Sequence, residues 1–233
     1  MEYLTFSAPG RVELGGNHTD HQHGCVLAAA IDRTARARVR PTGEGVVRVF
    51  SRGYAPVELA PDDLSPRQEE RNTTAALVRE LGAVCRLFGA EVLRQVEEAE
   101  FYRRLPEVRR AAGDRAVLRA IHVFDENRRV LGQVQALENG DTEGFLALVN
   151  DSGRSSWEYL QNIAPEGAAG HQELAVTLAL CRRLLRGRGA ARVHGGGFAG
   201  TALCMVPEAD YPAFRAELET LLAPDCCHRL QIV

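Results

Sequence analysis

The hydrophobic period of this chain changes once, near residue 73, from the alternation of strands to the three-to-four-residue spacing of helices. Before the change, Ala35, Ala37 and Val39 alternate with Arg36, Arg38 and Arg40, which predicts a half-buried strand. A second strand over 46–50 follows the turn residues Pro41-Thr42-Gly43, and Pro61 makes 56–66 mostly loop. After the change, Leu77, Leu81, Val84, Phe88 and Val92 share one helical face, with Asn72 or Thr73 as cap. Gly82 and Gly89 lie inside that pattern, each costing about 1 kcal/mol against Ala. Helices are expected over 101–112, 114–137, 141–151, 171–185 and 210–222, and strands over 190–193, 202–206 and 228–233. Asn139-Gly140-Asp141 reads as one helix's stop and the next one's cap. A β-rich start followed by helices with a small sheet is an α+β fold in two lobes.

Composition narrows the chemistry. The 233 residues are 45% hydrophobic with a net charge of −3, which suits one large domain or two small ones. With no long uncharged apolar run and no signal pattern, the expectation is a soluble, cytoplasmic monomer with neither membrane nor nucleic acid as partner. The arginines at 36, 38 and 40 lack interleaved aromatics, so they read as a solvated sheet face. All 28 basic residues are Arg. Without Lys there is no Schiff base, no pyridoxal phosphate anchor and no Walker-A loop, so any phosphate must be held by Arg, backbone N–H groups or a metal. The six Cys contain no C-x-x-C and read as buried reduced thiols.

Three stretches can carry chemistry. The first, from Ala8 to Gly24, gathers Arg11, Asn17, His18, Asp20, His21 and His23 among glycines. His18, His21 and His23 with Asp20 could ligate zinc. Asn17, His18 and Asp20 could instead match vicinal sugar hydroxyls, with Arg11 as a fixed cation for phosphate. An exposed polar hairpin loop is the third reading. The second stretch, Arg192-Val-His-Gly-Gly-Gly-Phe-Ala-Gly200, lets backbone approach a ligand closely and offers N–H groups to an anion. It matches an esterase oxyanion loop, but the chain has no G-x-S-x-G elbow. In the third stretch, Arg119 to Val130, His122 and Glu126 lie four apart on one helical face, as a packing histidine would.

Together and in order, PGR…GGNHTDHQHG, RAIHVFDENRRV, SGRSSWEYLQN and RVHGGGFAGTALCMVP resemble the galactokinases, of the GHMP family of small-molecule kinases. The resemblance runs from Ala8 to about Ala75 and from about Val84 to the C-terminus. It implies a GHMP-kinase-like fold and transfer of the γ-phosphoryl of ATP, with Mg2+, to the 1-hydroxyl of galactose. Arg11 would lie beside the reacting hydroxyl, where a permanent cation stabilises developing charge. Asn17, His18 and Asp20 match the sugar ligands, Asn17 standing where many members carry Glu. Gly195, Gly196, Gly197 and Gly200 match the motif at the phosphate end of the nucleotide site. No metal ligand is implied within the chain.

The resemblance also exposes a gap. The family's Gly-Leu-Ser-Ser-Ser-Ala phosphate loop and its catalytic Asp in Gly-x-x-Asp-Gln are absent from the sequence. The join falls between Leu81 and Gly82, and helical phase is kept across it, so one continuous helix is expected there. The chain then divides into a partial N-terminal lobe, 1–81, and a C-terminal lobe, 82–233. The lost strands predict unpaired edges and uncovered apolar faces in the first lobe. Three functions follow: a galactokinase whose chain as written is inactive, a noncatalytic sugar-binding or regulatory remnant, or a histidine metal site.

Overall fold

The structure, a computed structural model, describes residues 3–53, 55–59, 73–164, 169–197 and 200–233. Two long strands, β1 (Leu4–Gly15) and β2 (Leu27–Val39), form an antiparallel hairpin. A register shift at Pro9/Gly10 divides it. The bulge suits Pro9, which has no N–H to give a ladder. The inner half buries Val12 and Ile31 against the rest of the molecule. In the outer half Leu4, Phe6 and Ala8 stand opposite Val39, Ala37 and Ala35, and Phe6 is 54% exposed. The expected half-buried strand is therefore exposed on both faces, because nothing among the described residues packs on its apolar side. Two short strands, β3 (Val47–Val49) and β4 (Val57–Leu59), pair only with each other. The strand at 57–59 occupies what the prolines marked as loop, and residues 60–66, with Asn72, lie outside the described residues.

The chain is α+β, and the helices hold most of its core. Helix α1 (Thr73–Leu87) runs unbroken through Leu81 and Gly82, with Leu77, Leu81, Val84 and Cys85 buried. Gly89 does not lie inside it: at φ 65° it follows the helix end, a left-handed position where glycine carries no Cβ penalty. The expected helix over 101–112 is two, α2 (Glu98–Arg103) and α3 (Leu105–Ala112). Pro106 forces the break, since its ring clashes with the preceding turn. Glu97 caps α2 by accepting from Ala99 N and Glu100 N. Helix α4 (Asp114–Glu138) is followed by Gly140 at φ 69° and by α5 (Thr142–Ser155), which Asp141 caps through Gly144 N at 2.8 Å.

A π-helical turn, Ser156–Leu160, extends α5. Helix α6 (Glu173–Leu185), the antiparallel pair β5 (Ala190–His194) and β6 (Thr201–Met205), and α7 (Tyr211–Leu221) complete the second part. The expected last strand, 228–233, does not form. Only Ile232 bridges to Ile31, with Gln231 and Val233 bonding β2 around it. The largest apolar cluster joins α1, α2, α3, α4 and the π turn through Leu81, Phe101, Val108, Val123 and Leu160. Among the described residues no helix is long and apolar enough to cross a membrane.

Candidate functional site

The loop between β1 and β2, residues 16–26, is built around missing side chains. A Cβ on Gly15 would overlap the Gln133 amide, and one on Gly16, at φ 94°, would overlap Cys25 O. Only glycine allows that approach. Thr19 closes the loop, its hydroxyl 2.9 Å from Gly16 O and 2.6 Å from Cys25 O, while Gly24 N donates to Thr19 O. Two side chains tie the loop to the helical core. Asn127 Oδ1 accepts from Cys25 N at 2.7 Å, and Gln22 Oε1 accepts from Leu93 N at 2.8 Å.

Beneath the loop lies a buried charge network. Glu126, fully buried on α4, accepts from Gly16 N at 3.1 Å, Asn17 N at 3.2 Å and Ser152 Oγ at 2.6 Å. Arg129 pairs with its second oxygen at 3.0 Å, and Arg192 approaches to 3.9 Å. Burial alone would raise the Glu126 carboxyl, but the charges of Arg192 and Arg129 beside it and the Ser152 hydroxyl hold it below the usual carboxylate range. His122 is held neutral by burial. Its Nε2 faces Asn17 O, which can only accept, so the proton sits there and Nδ1 accepts from Ser155 Oγ at 2.8 Å. The packing histidine of the sequence reading is thus a full hydrogen-bond bridge from helix to loop.

Arg192, fully buried on β5, spans both strands: it pairs with Glu13 at 2.6 Å and donates to Leu14 O at 3.2 Å. Burial raises the Glu13 carboxyl against the pull of Arg192. Glu13 N donates to His194 Nε2 at 3.2 Å. Burial lowers the His194 ring, as do the charges of Arg192 and Arg11.

The predicted site residues fall into two groups. His18, buried at φ 59°, gives its Nε2–H to Gly196 O at 3.2 Å, which joins the polar loop to the glycine loop. Asn17, 1% exposed, donates through Nδ2 to Ser156 Oγ at 3.0 Å. Arg11 is exposed on β1, near His194. Asp20 is exposed and lies 3.5 Å from His21. Gly195 and Gly197 have φ values of 67° and 81°. Among the described residues the N–H groups of Gly195, Gly196 and Gly197 find no protein acceptor. Gly200 packs against His194 O, and the loop residues Phe198 and Ala199 lie outside the described residues. The sequence reading missed Glu126, Arg192, Ser152, Ser155 and Ser156 as site builders. Their signal was available on α4, where His122, Glu126, Arg129 and Gln133 put polar side chains on one helical face.

All four motif blocks therefore meet at one loop. Residues 2–41 match the galactokinase galactose-binding signature. The galactokinase of Glaesserella parasuis is 32% identical over 128 residues, which are 55% of this chain and 31% of that enzyme. The chain is similar to galactokinases over part of their length. The Haemophilus influenzae (strain PittEE) galactokinase is 26% identical over 183 residues, 78% of this chain and 43% of that one. The chain thus spans less than half the length of the curated galactokinases it matches. Lactococcus lactis galactokinase, solved in complex with galactose, shares the fold at a TM-score of 0.68 and 15% identity, with 100% of this chain and 92% of that one covered. That likeness places this relative in the galactokinase fold.

Proposed function

We propose that this galactokinase relative binds galactose through the loop at 16–26 and does not phosphorylate it. The observation that carries the reading is the buried network. Glu126, His122 and Ser156 come from two separate motif blocks and fix the backbone or side chains of the polar loop, while Arg192, from a third, braces β1 just before it at Glu13 and Leu14 O. A merely exposed hairpin loop needs none of these contacts. In this reading Asn17, His18 and Asp20 meet sugar hydroxyls and Arg11 flanks the sugar. An internal segment is missing between Leu81 and Gly82, which leaves a partial lobe, 1–81, joined to a C-terminal lobe, 82–233. The exposed hairpin face and the short reach along curated relatives support that division.

The residues present do not fit ATP with Mg2+. The glycine loop offers three N–H groups, but a Cβ on Gly197 would overlap Asn162 O, so that side is filled by the chain itself. At Gly195 a Cβ would meet nothing within 4 Å. The buried carboxylates beside the loop, Glu13 and Glu126, already face Arg192. Phosphoryl transfer depends almost entirely on positioning and electrostatics, and three N–H groups with Arg11 fall short of a triphosphate cradle. Losing a general base removes about another 10²–10⁴-fold. The histidine metal site is disfavoured by geometry: His18 is spent on Gly196 and His21 on Asp20, and the described residues contain no group placed to hold a metal ion.

ADP release with galactose and MgATP, run beside Arg11→Ala, tests the proposal. The two proteins are expected to release ADP at the same background rate. Turnover above that background in the unchanged chain, lost on the substitution, would show that the retained residues suffice for catalysis.

A further inference from the structure

We infer that Asn162 is a second sugar-reading position, its Oδ1 accepting from one hydroxyl of a sugar while Asn17 Oδ1 accepts from another. This rests on the reading that the loop at 16–26 binds a sugar. Asn17 and Asn162 are 1% and 2% exposed, and the side-chain oxygen of each is buried without a partner among the described residues. A buried acceptor left unmade is costly, and native structures keep few of them. Gln133 has the same deficit but cannot serve a ligand, because its amide is wedged against the backbone at Gly15.

Position connects the two asparagines. Asn162 Nδ2 lies 3.4 Å from Gly196 O, and His18 Nε2 lies 3.2 Å from the same oxygen. The two side chains therefore converge on one atom. The amide is planar, so Asn162 Oδ1 sits beside Nδ2 on the same carbon. Asn17 precedes His18 and is anchored to Ser156, the first residue of the π turn whose far end leads into Asn162. Such turns often re-aim side chains at functional sites.

The chemistry selects the ligand class. With its proton on Nε2, His18 presents Nδ1 as an acceptor, and the two asparagines add two carbonyl oxygens. A set of acceptors calls for donors. A polyhydroxylated sugar supplies several donors from one rigid ring. Asn162 also positions the glycine loop through Gly196, so its test must separate reading from bracing.

Calorimetric titration of galactose and its 2-, 3-, 4- and 6-deoxy analogues into the unchanged chain and Asn162→Ala makes that separation. Galactose is expected to bind the variant roughly 5- to 30-fold more weakly. One deoxy sugar, lacking the hydroxyl that Asn162 reads, should bind both proteins equally. Asn162→Ser carries the same expectation if the alanine protein does not fold. An equal loss for every sugar would mean bracing alone and overturn the inference, as would no loss for any. If the unchanged chain binds none of the five sugars, the sugar-binding reading fails and this inference fails with it.

Discussion

Replacing Glu126 by Gln would leave Arg192 and Arg129 facing a neutral amide in a space closed to water. Breaking a buried ionic network from one side costs about 3–5 kcal/mol. Chemical denaturation of Glu126→Gln should show a loss of that order, and a loss below about 1 kcal/mol would mean the network is not closed. The same network makes stability sensitive to acid. His122 has an ordinary value of 6.5 and is pushed down to about 4 by burial. Its neutral form is favoured by the fold, so that stabilisation is complete above pH 6.5 and is lost as pH falls toward 4. Glu126, also held low, acts in the same direction below its ordinary 4.5. Denaturant midpoints measured from pH 7.5 to 5 should therefore fall, and His122→Asn should flatten the decline above pH 5. A midpoint independent of pH in the unchanged chain would contradict the buried neutral histidine. At this scale the sequence showed which residue types gather in the polar loop, but not what holds them. Glu126 and Arg192 lie 66 positions apart, and no local pattern pairs them.

Among the elements, α1 bears most directly on the proposed join at Leu81 and Gly82. The helix is continuous there, and a Cβ on Gly82 would meet nothing nearer than Arg86 Nη1 at 3.5 Å. Gly82→Ala should then stabilise the protein by about 0.5–1 kcal/mol, read as a higher denaturant midpoint. No gain, or a loss, would mean that the helix is interrupted at the join. Gly197→Ala should do the opposite. It combines φ 81° with a Cβ that overlaps Asn162 O, whereas Gly43→Ala, at φ 74° in open space, carries only the backbone strain. The elements most legible in the sequence were those with local punctuation. Helix α4 runs from Asp114 to Glu138 because Gly113 and Gly140 bracket it, and α5 starts where Asp141 can cap. Less legible were features decided by partners. The tail at 228–233 has the composition of a strand but pairs with β2 only around Ile31, and α2 and α3 divide at a proline that apolar periodicity alone does not register.

For the whole molecule, the uneven distribution of core has consequences. The apolar clusters draw almost entirely on residues after Leu77, while Phe6, Val39 and Phe50 face outward. Amide exchange should show stronger protection after residue 100 than in the outer hairpin before residue 60. Uniform protection across both would contradict a depleted first lobe. The polar loop is the exception in the first part, because α4 and the π turn lock it from the second and β5 braces the strand leading into it. The account holds that this locked loop still binds sugar although phosphoryl transfer is lost. A melting curve followed over increasing galactose tests that claim most directly. At a 100-fold excess over Kd a single site adds about 2.7 kcal/mol, which for a chain of this size is roughly 5–10 °C. The account predicts a saturable rise of that order with galactose and none with a sugar alcohol of equal concentration; identical curves at every galactose concentration would contradict it.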